Sequence, residues 1–389
     1  MTETDHEIRR RLGTTRPDVP TFQVDAADVM RRARARRVRR SVGVAAAAVL
    51  ILAGVGLPLA LLSALGGSHR PIVSPSPPSP AVRAVLGPSI RIPSGAVDVA
   101  VEDGTVWVSG FGKLTRLDAG SGRVVATVST PGTEDYSQVA VGFGAVWVTA
   151  DRGILYRVDP ATDRVVLAIA VGGPIQGVDT GAGSVWVTRI AGEHGDLIRV
   201  DPATGRVVGR PIKVGPGPGA VLYAYGAVWV TNTSPPSVDR VDPTTREVTD
   251  TRFTGLVAAG YGSLWAVSSG TSPSSSFVVR VDPMTGESIA TVRVPRAEAA
   301  AVGAGGVWVL AGPRSSSPTL FHPIEHTTAL WEIDPSTNRI VGHPILFEAL
   351  QPIAISATAG DRAVWVADYD GGTVTRFDVV PCAGSACRA

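Results

Sequence analysis

The chain has 389 residues, 44% of them hydrophobic and 18% charged, enough apolar material to fill a large core. Its net charge of +2 is uneven: residues 1–40 hold 11 Arg against 6 acidic residues, and the remainder is slightly acidic. The body of the protein therefore lacks the excess of cations that a nucleic-acid surface needs, and nucleic acid is excluded as its expected partner.

In chain order, residues 1–40 form a basic tail too short for a domain. Asp25 and Asp28 ahead of Arg31–Arg40 read as the start of a helix, acid at its N-terminal end and Arg beyond. From Ser41 to Gly67 no charged residue occurs, and Val42–Leu62 is a run of 21 residues, the length a helix needs to cross a bilayer. The Arg block on the N-terminal flank predicts a cytoplasmic N-terminus, so that 41–67 spans the cell membrane and the rest of the chain is extracellular. A basic region of this length is unlike that of a cleaved signal peptide, and the segment reads as a signal-anchor. Residues 68–84 are a Pro/Ser-rich linker of extended, polyproline character.

The remainder is repetitive. Trp107, Trp147, Trp186, Trp229, Trp265, Trp308 and Trp365 recur about every 40 residues in a Gly-x-Val-Trp-Val-Thr setting, as in Val141–Thr149 and Thr180–Thr188. About ten residues later comes Arg-Val-Asp-Pro-x-Thr, as in Tyr156–Thr162 and Ile198–Thr204. A period of this length built of short apolar runs and Gly/Asp-Pro turns is that of a propeller blade with four strands, here named a to d from the channel outward. Seven such repeats predict an all-β, seven-bladed β-propeller over 85–380. The chain stops after a third strand in the last repeat, and the isolated strand Ser89-Ile-Arg-Ile-Pro93 is expected to complete that blade and close the ring. The tryptophans read as structural wedges between blades. The Arg-x-Asp of strand c reads as an ion pair within or between blades.

These motifs are similar to those of the YVTN repeat group and the virginiamycin B lyase-like propellers, across roughly 86–380. The resemblance implies a seven-bladed propeller. It also implies, as an alternative to a binding module, an enzyme that opens a lactone by elimination with a His and a Glu near a divalent cation. The His residues with an adjacent acid are Glu193/His194 and Glu325/His326, and both pairs fall in b–c loops. His322-Pro-Ile-Glu325-His326 also matches an inverted zinc-protease string, but Pro323 denies it the helix that string requires. These residues are weak candidates for a metal site, and no cofactor is expected unless the lyase alternative holds. Cys382 and Cys387, outside the cell, can close a small disulfide loop in a C-terminal tail, 381–389. The b–c loops vary while the other turns are uniform, so the expected function is a monomeric, membrane-anchored propeller that binds a protein or small molecule on its loop face. A further alternative is a sensor that signals through the tail.

Overall fold

The computed structural model describes residues 82–381, apart from 134–136, 252, 269–275, 313–326 and 358–361. The expected tail at 1–40, membrane helix at 41–67 and nearly all of the linker lie outside the described residues, as do His322, Glu325, His326, Cys382 and Cys387. Among the described residues no helix is long and apolar enough to cross a membrane.

The first strand, β1, spans Val82–Arg91. Blade 1 is β2 (Asp98–Glu102), β3 (Thr105–Gly110), β4 (Lys113–Asp118) and β5 (Val124–Ser129). Blade 2 is β6 (Val139–Gly142), β7 (Ala145–Ala150), β8 (Ile154–Asp159) and β9 (Arg164–Ala170). Blade 3 is β10 (Ile175–Gly181), β11 (Ser184–Ala191), β12 (His194–Val200) and β13 (Ile212–Val214). Blade 4 is β14 (Pro218–Ala224), β15 (Ala227–Thr233), β16 (Pro236–Val241) and β17 (Val248–Asp250). Blade 5 is β18 (Leu256–Gly260), β19 (Ser263–Ser268), β20 (Phe277–Val281) and β21 (Ser288–Arg293). Blade 6 is β22 (Ala297–Gly303), β23 (Gly306–Ala311), β24 (Thr327–Asp334) and a broken outer strand, β25 (Arg339–Ile340) with β26 (Ile345–Glu348). Blade 7 is β27 (Pro352–Ala357), β28 (Ala363–Asp368) and β29 (Thr373–Pro381), completed by β1.

Local chemistry sets each blade. The a–b hairpins turn on two residues of positive φ, such as Ala182/Gly183 and Tyr225/Gly226, and glycine holds the second place because it adopts φ > 0 without strain. In the c–d turns the Asp carboxylate accepts the next free N–H groups: Asp201 takes those of Ala203 at 3.1 Å and Thr204 at 2.7 Å. The Trp of each strand b is buried, facing the next blade; Trp186 packs with Val221, Val228 and Val230 of blade 4. In five blades its indole N–H donates to the carbonyl five residues back, as from Trp186 to Gly181 at 3.0 Å.

The Arg-x-Asp motif is not the ion pair that the sequence suggested. Except in blade 7, its Asp caps the local turn. Its Arg stacks on the Trp of its own blade, 5.1–5.9 Å from ring centroids, in six blades. In four of these it also reaches the c–d turn of the following blade: Arg116 donates to Pro160 O at 2.9 Å, Arg280 to Pro335 O at 2.6 Å, Arg157 to Ala203 O at 3.5 Å, and Arg376 to Gly120 O at 2.6 Å. Arg116 also pairs with Asp163 of blade 2 at 3.2 Å. Only in blade 7, whose strand c runs on without a turn to cap, does the motif pair internally, Arg376 with Asp378 at 2.6 Å.

The exception in blade 6 coincides with the topology. In four blades the Arg reaches the next blade's c–d turn, and blade 7 has none, because its fourth strand comes from the other end of the chain. There Glu332 takes the place of Arg, opposite Trp308. The stacked cations also differ in strength. Arg280 makes short bonds to Ser263 Oγ, Pro335 O and Asn338 Oδ1, whereas Nε of Arg157 has no partner. Arg280→Ala is expected to cost about 2 kcal/mol and Arg157→Ala about half that, measured as shifts of the urea midpoint. Equal losses would count against the seam bonds as their source.

Closure follows the sequence reading but extends further. β1 pairs antiparallel with β29 at eight positions from Val82↔Pro381 to Arg91↔Thr373, with a shift between Leu86 and Ser89. Among the described residues the pairing already includes Val82. Val82 is buried against Ala304 and Trp308 of blade 6, so its apolar side chain belongs to the core and not to a solvated linker.

Candidate functional site

Strand direction defines two faces. The a–b and c–d turns lie on one, the b–c loops and d–a connections on the other. As a d-type strand, β1 starts on the turn face and ends on the loop face, and β29 finishes on the turn face beside Val82. The described chain is therefore joined and left on one face, while its irregular loops occupy the other.

The loop face is held firmly from beneath. Asp196, buried on β12, is paired with Arg189 of β11 and with Lys213 of β13, the latter at 2.7 Å. Burial raises its pKa, but hydrogen bonds from Lys213 and Arg189 outweigh burial and hold it below the ordinary carboxylate range. Arg189 also donates to Val171 O at 2.9 Å, tying blade 3 to the connection that leaves blade 2. Asp239 accepts from Gly215 N at 2.7 Å and Asn232 Nδ2 at 3.0 Å, and Asp368 accepts from Leu350 N and Gln351 N. Above this layer the loops are short where they are described: a 3-10 turn at Asp151–Gly153, and tight turns between Ala191 and His194 and between Thr233 and Pro236. Phe111 of blade 1 and Tyr369 of blade 7 meet edge to face at 5.4 Å, an aromatic pair across the closing seam.

Two further carboxylates lie on the inner strands. Asp98 accepts from Val99 N and from Val139 N of the next blade at 3.0 Å, and Asp179 accepts from Thr180 N and from Tyr223 N of the next blade at 2.6 Å. Burial pushes both from 3.8 to about 6, the backbone hydrogen bonds only partly offsetting it. The folded chain binds these protons more tightly than the unfolded one. Their contribution to stability is therefore complete below about pH 4 and is lost as the pH rises through about 6. Relative to wild type, Asp98→Asn is expected to gain roughly 2–3 kcal/mol between pH 4 and 7, read from urea unfolding across that range. Parallel pH curves for the two proteins would sink this assignment.

Of the residues marked in the sequence, Glu193 lies in the hairpin turn and His194 opens β12, both exposed. Neither side chain makes a hydrogen bond or ion pair among the described residues, and the nearest buried carboxylate along the strand, Asp196, is engaged by Arg189 and Lys213. No group of three His, Cys, Asp or Glu side chains among the described residues is placed to hold a metal ion. Phe111 and Tyr369 gave no sequence signal, because blades 1 and 7 become neighbours only when the ring closes. Asp98 and Asp179 sit in inner strands whose apolar pattern conceals them.

No protein-family profile matches the chain, and no curated protein does. Solved structures do. The chain is similar to hydrazine synthase of Kuenenia stuttgartiensis (TM-score 0.58, 14% identity, 75% of this chain and 96% of that one). It is also similar to the WD40 domain of Neurospora crassa Pan2 (TM-score 0.57, 10% identity, 73% and 89%) and to the WD40 repeats of RRP9 (TM-score 0.55, 8% identity, 78% and 99%). At such identities the likeness is one of fold, and by fold the chain is a seven-bladed β-propeller.

Proposed function

We propose that the protein is a membrane-anchored, extracytoplasmic propeller that binds a protein partner on its loop face. One observation supports the reading: Val82 and Pro381, the ends of the described chain, stand together on the turn face, opposite the irregular loops. The apolar run Val42–Leu62 behind an Arg block supports the anchor, and a rigid platform beneath short, variable loops is how binding surfaces are usually built. The Pan2 and RRP9 structures, themselves WD40 propellers, support the fold as a scaffold.

The lyase alternative, with a divalent cation at the propeller mouth, has less behind it. Its described candidates, Glu193 and His194, stand on an exposed hairpin with no carboxylate paired to the imidazole.

Lysine usage gives a direct test. The chain has two lysines, Lys113 and Lys213. Lys113 opens β4 and Lys213 pairs with Asp196, both toward the loop face. A membrane-impermeant, amine-reactive cross-linker applied to intact cells is expected to label both and to capture the partner. Replacing both with Arg should remove the cross-link while leaving the fold unchanged. Labelling only after lysis would overturn the orientation, and a cross-link that survives the double substitution would overturn the loop face as the site.

A further inference from the structure

The exposed apolar side chains of the propeller are not spread evenly over its two faces. Three a–b hairpins carry an aromatic residue at the tip: Phe143, Tyr225 and Tyr261, exposed by 46%, 37% and 40%. Around them, at the rim of the same face, Val125, Val166 and Ile289 stand out where the outer strands shift register. On the loop half only Phe111, Ile190, Leu346 and Leu350 are comparably exposed among the described residues. Single exposed apolar residues are ordinary on a protein surface, but a bias toward one face marks a contact surface.

The aromatic tips occupy a demanding place. Phe143, Tyr225 and Tyr261 take φ of 56°, 52° and 51° at the first position of their hairpins, where Asn, Asp or Gly is the usual choice. The Tyr225 hydroxyl donates to Ser263 O of blade 5 at 3.2 Å, which fixes its ring on the face. Arg123, Arg164, Arg206 and Arg339 follow the c–d turns of blades 1, 2, 3 and 6. All four are exposed, and none makes an ion pair among the described residues. The Asp of each of these turns is taken up within its own turn. Exposed carboxylates such as Glu102 and Glu287 are present too, so the face is mixed in charge rather than basic. Half-exposed aromatic rings set among guanidinium groups match the headgroup layer of a bilayer, where rings lie at the boundary and Arg reaches phosphate.

The attachment point indicates what this face meets. Val82 and Pro381 stand together on the turn face, and the uncharged run Ser41–Gly67 ends 14 residues before Val82, at residues 68–81. A tether of that length spans at most ~50 Å, and it enters the propeller on the side of the aromatic tips. Resting on the membrane-anchor reading above, we propose that the turn face lies on the bilayer itself. Phe143, Tyr225 and Tyr261 enter the headgroup layer, and the Arg residues after the c–d turns meet lipid phosphates. The loop face then points away from the lipid, open to its partner.

The full-length protein in vesicles of equimolar phosphatidylcholine and phosphatidylglycerol, with and without bromine on the upper acyl chains, tests this. The seven blade tryptophans are buried, so a tryptophan added at the surface reports its own position when read against wild type. Phe143→Trp is expected to add emission that brominated lipid largely quenches. Phe111→Trp, on the loop face, should add emission that bromine leaves unchanged. Tyr261→Trp repeats the measurement from blade 5 in case Phe143→Trp does not fold. Resistance to alkaline carbonate extraction reports insertion separately. An inserted protein with unquenched emission at both 143 and 261 would overturn the docking and leave the anchor standing, with a protein as the cover of this face. Equal quenching at 111 would overturn the choice of face. Extraction by carbonate would overturn the anchor, and the docking with it.

Discussion

Deleting Val82–Arg91 is expected to abolish the monomeric fold. β1 meets β29 at eight positions, Ser89 Oγ bonds Thr375 Oγ1 at 2.8 Å, and Val82 fills the seam against Trp308. At about 1 kcal/mol per net hydrogen bond, with the buried apolar groups besides, the loss is a large part of the 5–15 kcal/mol that holds a typical domain together. The outer edge of β29 would also lie open, a template for pairing with other chains. Size-exclusion chromatography and limited proteolysis should show aggregated, protease-sensitive material, and a synthetic peptide of residues 82–91 should restore part of the protection by adding back the strand. A monomer with an unchanged unfolding midpoint would mean that the ring is closed by something other than β1.

Trp186→Ala is expected to cost about 4–5 kcal/mol, read from urea unfolding. The substitution leaves a void against Val221, Val228 and Val230, strands the Gly181 carbonyl and removes the ring beneath Arg199. Trp186→Phe keeps an aromatic ring and should cost less than half as much. A loss below about 1 kcal/mol for the alanine variant would contradict the wedge reading and return the tryptophans to consideration as a ligand surface.

Much of this architecture was legible because each blade repeats the same local chemistry. The X-Gly hairpins, the Asp-Pro-x-Thr turns and the Trp in an all-apolar strand each state their role within ten residues. The isolated strand near Ser89 gave away the closure. What could not be read were the relations between repeats. Arg and Asp two apart look paired, but Asp201 stands just past the end of β12 and is taken by the free N–H groups of the next residues, while Arg157 in the blade before reaches into that same turn. Glu332 stands where six blades carry Arg, and only the ring topology reveals that blade 7 beside it has no c–d turn. Glu193 and His194 are adjacent in sequence, but Glu193 stands in an exposed turn and His194 at the start of β12, and no other group meets either side chain among the described residues. Phe111 and Tyr369, brought together from near the two ends of the described chain, carry no shared signature at all.

The antiparallel closure also has a mechanical consequence. Val82 and Pro381 stand at the same end of the β1–β29 pair. Force applied between these two ends would open the ladder one rung at a time. Force applied through the N-terminal attachment against a partner gripping the loop face instead runs along β1, and all eight paired positions share the load in shear. In the membrane-anchored arrangement proposed above, a pull from the loop face would thus load the closing pair in shear, its strong direction.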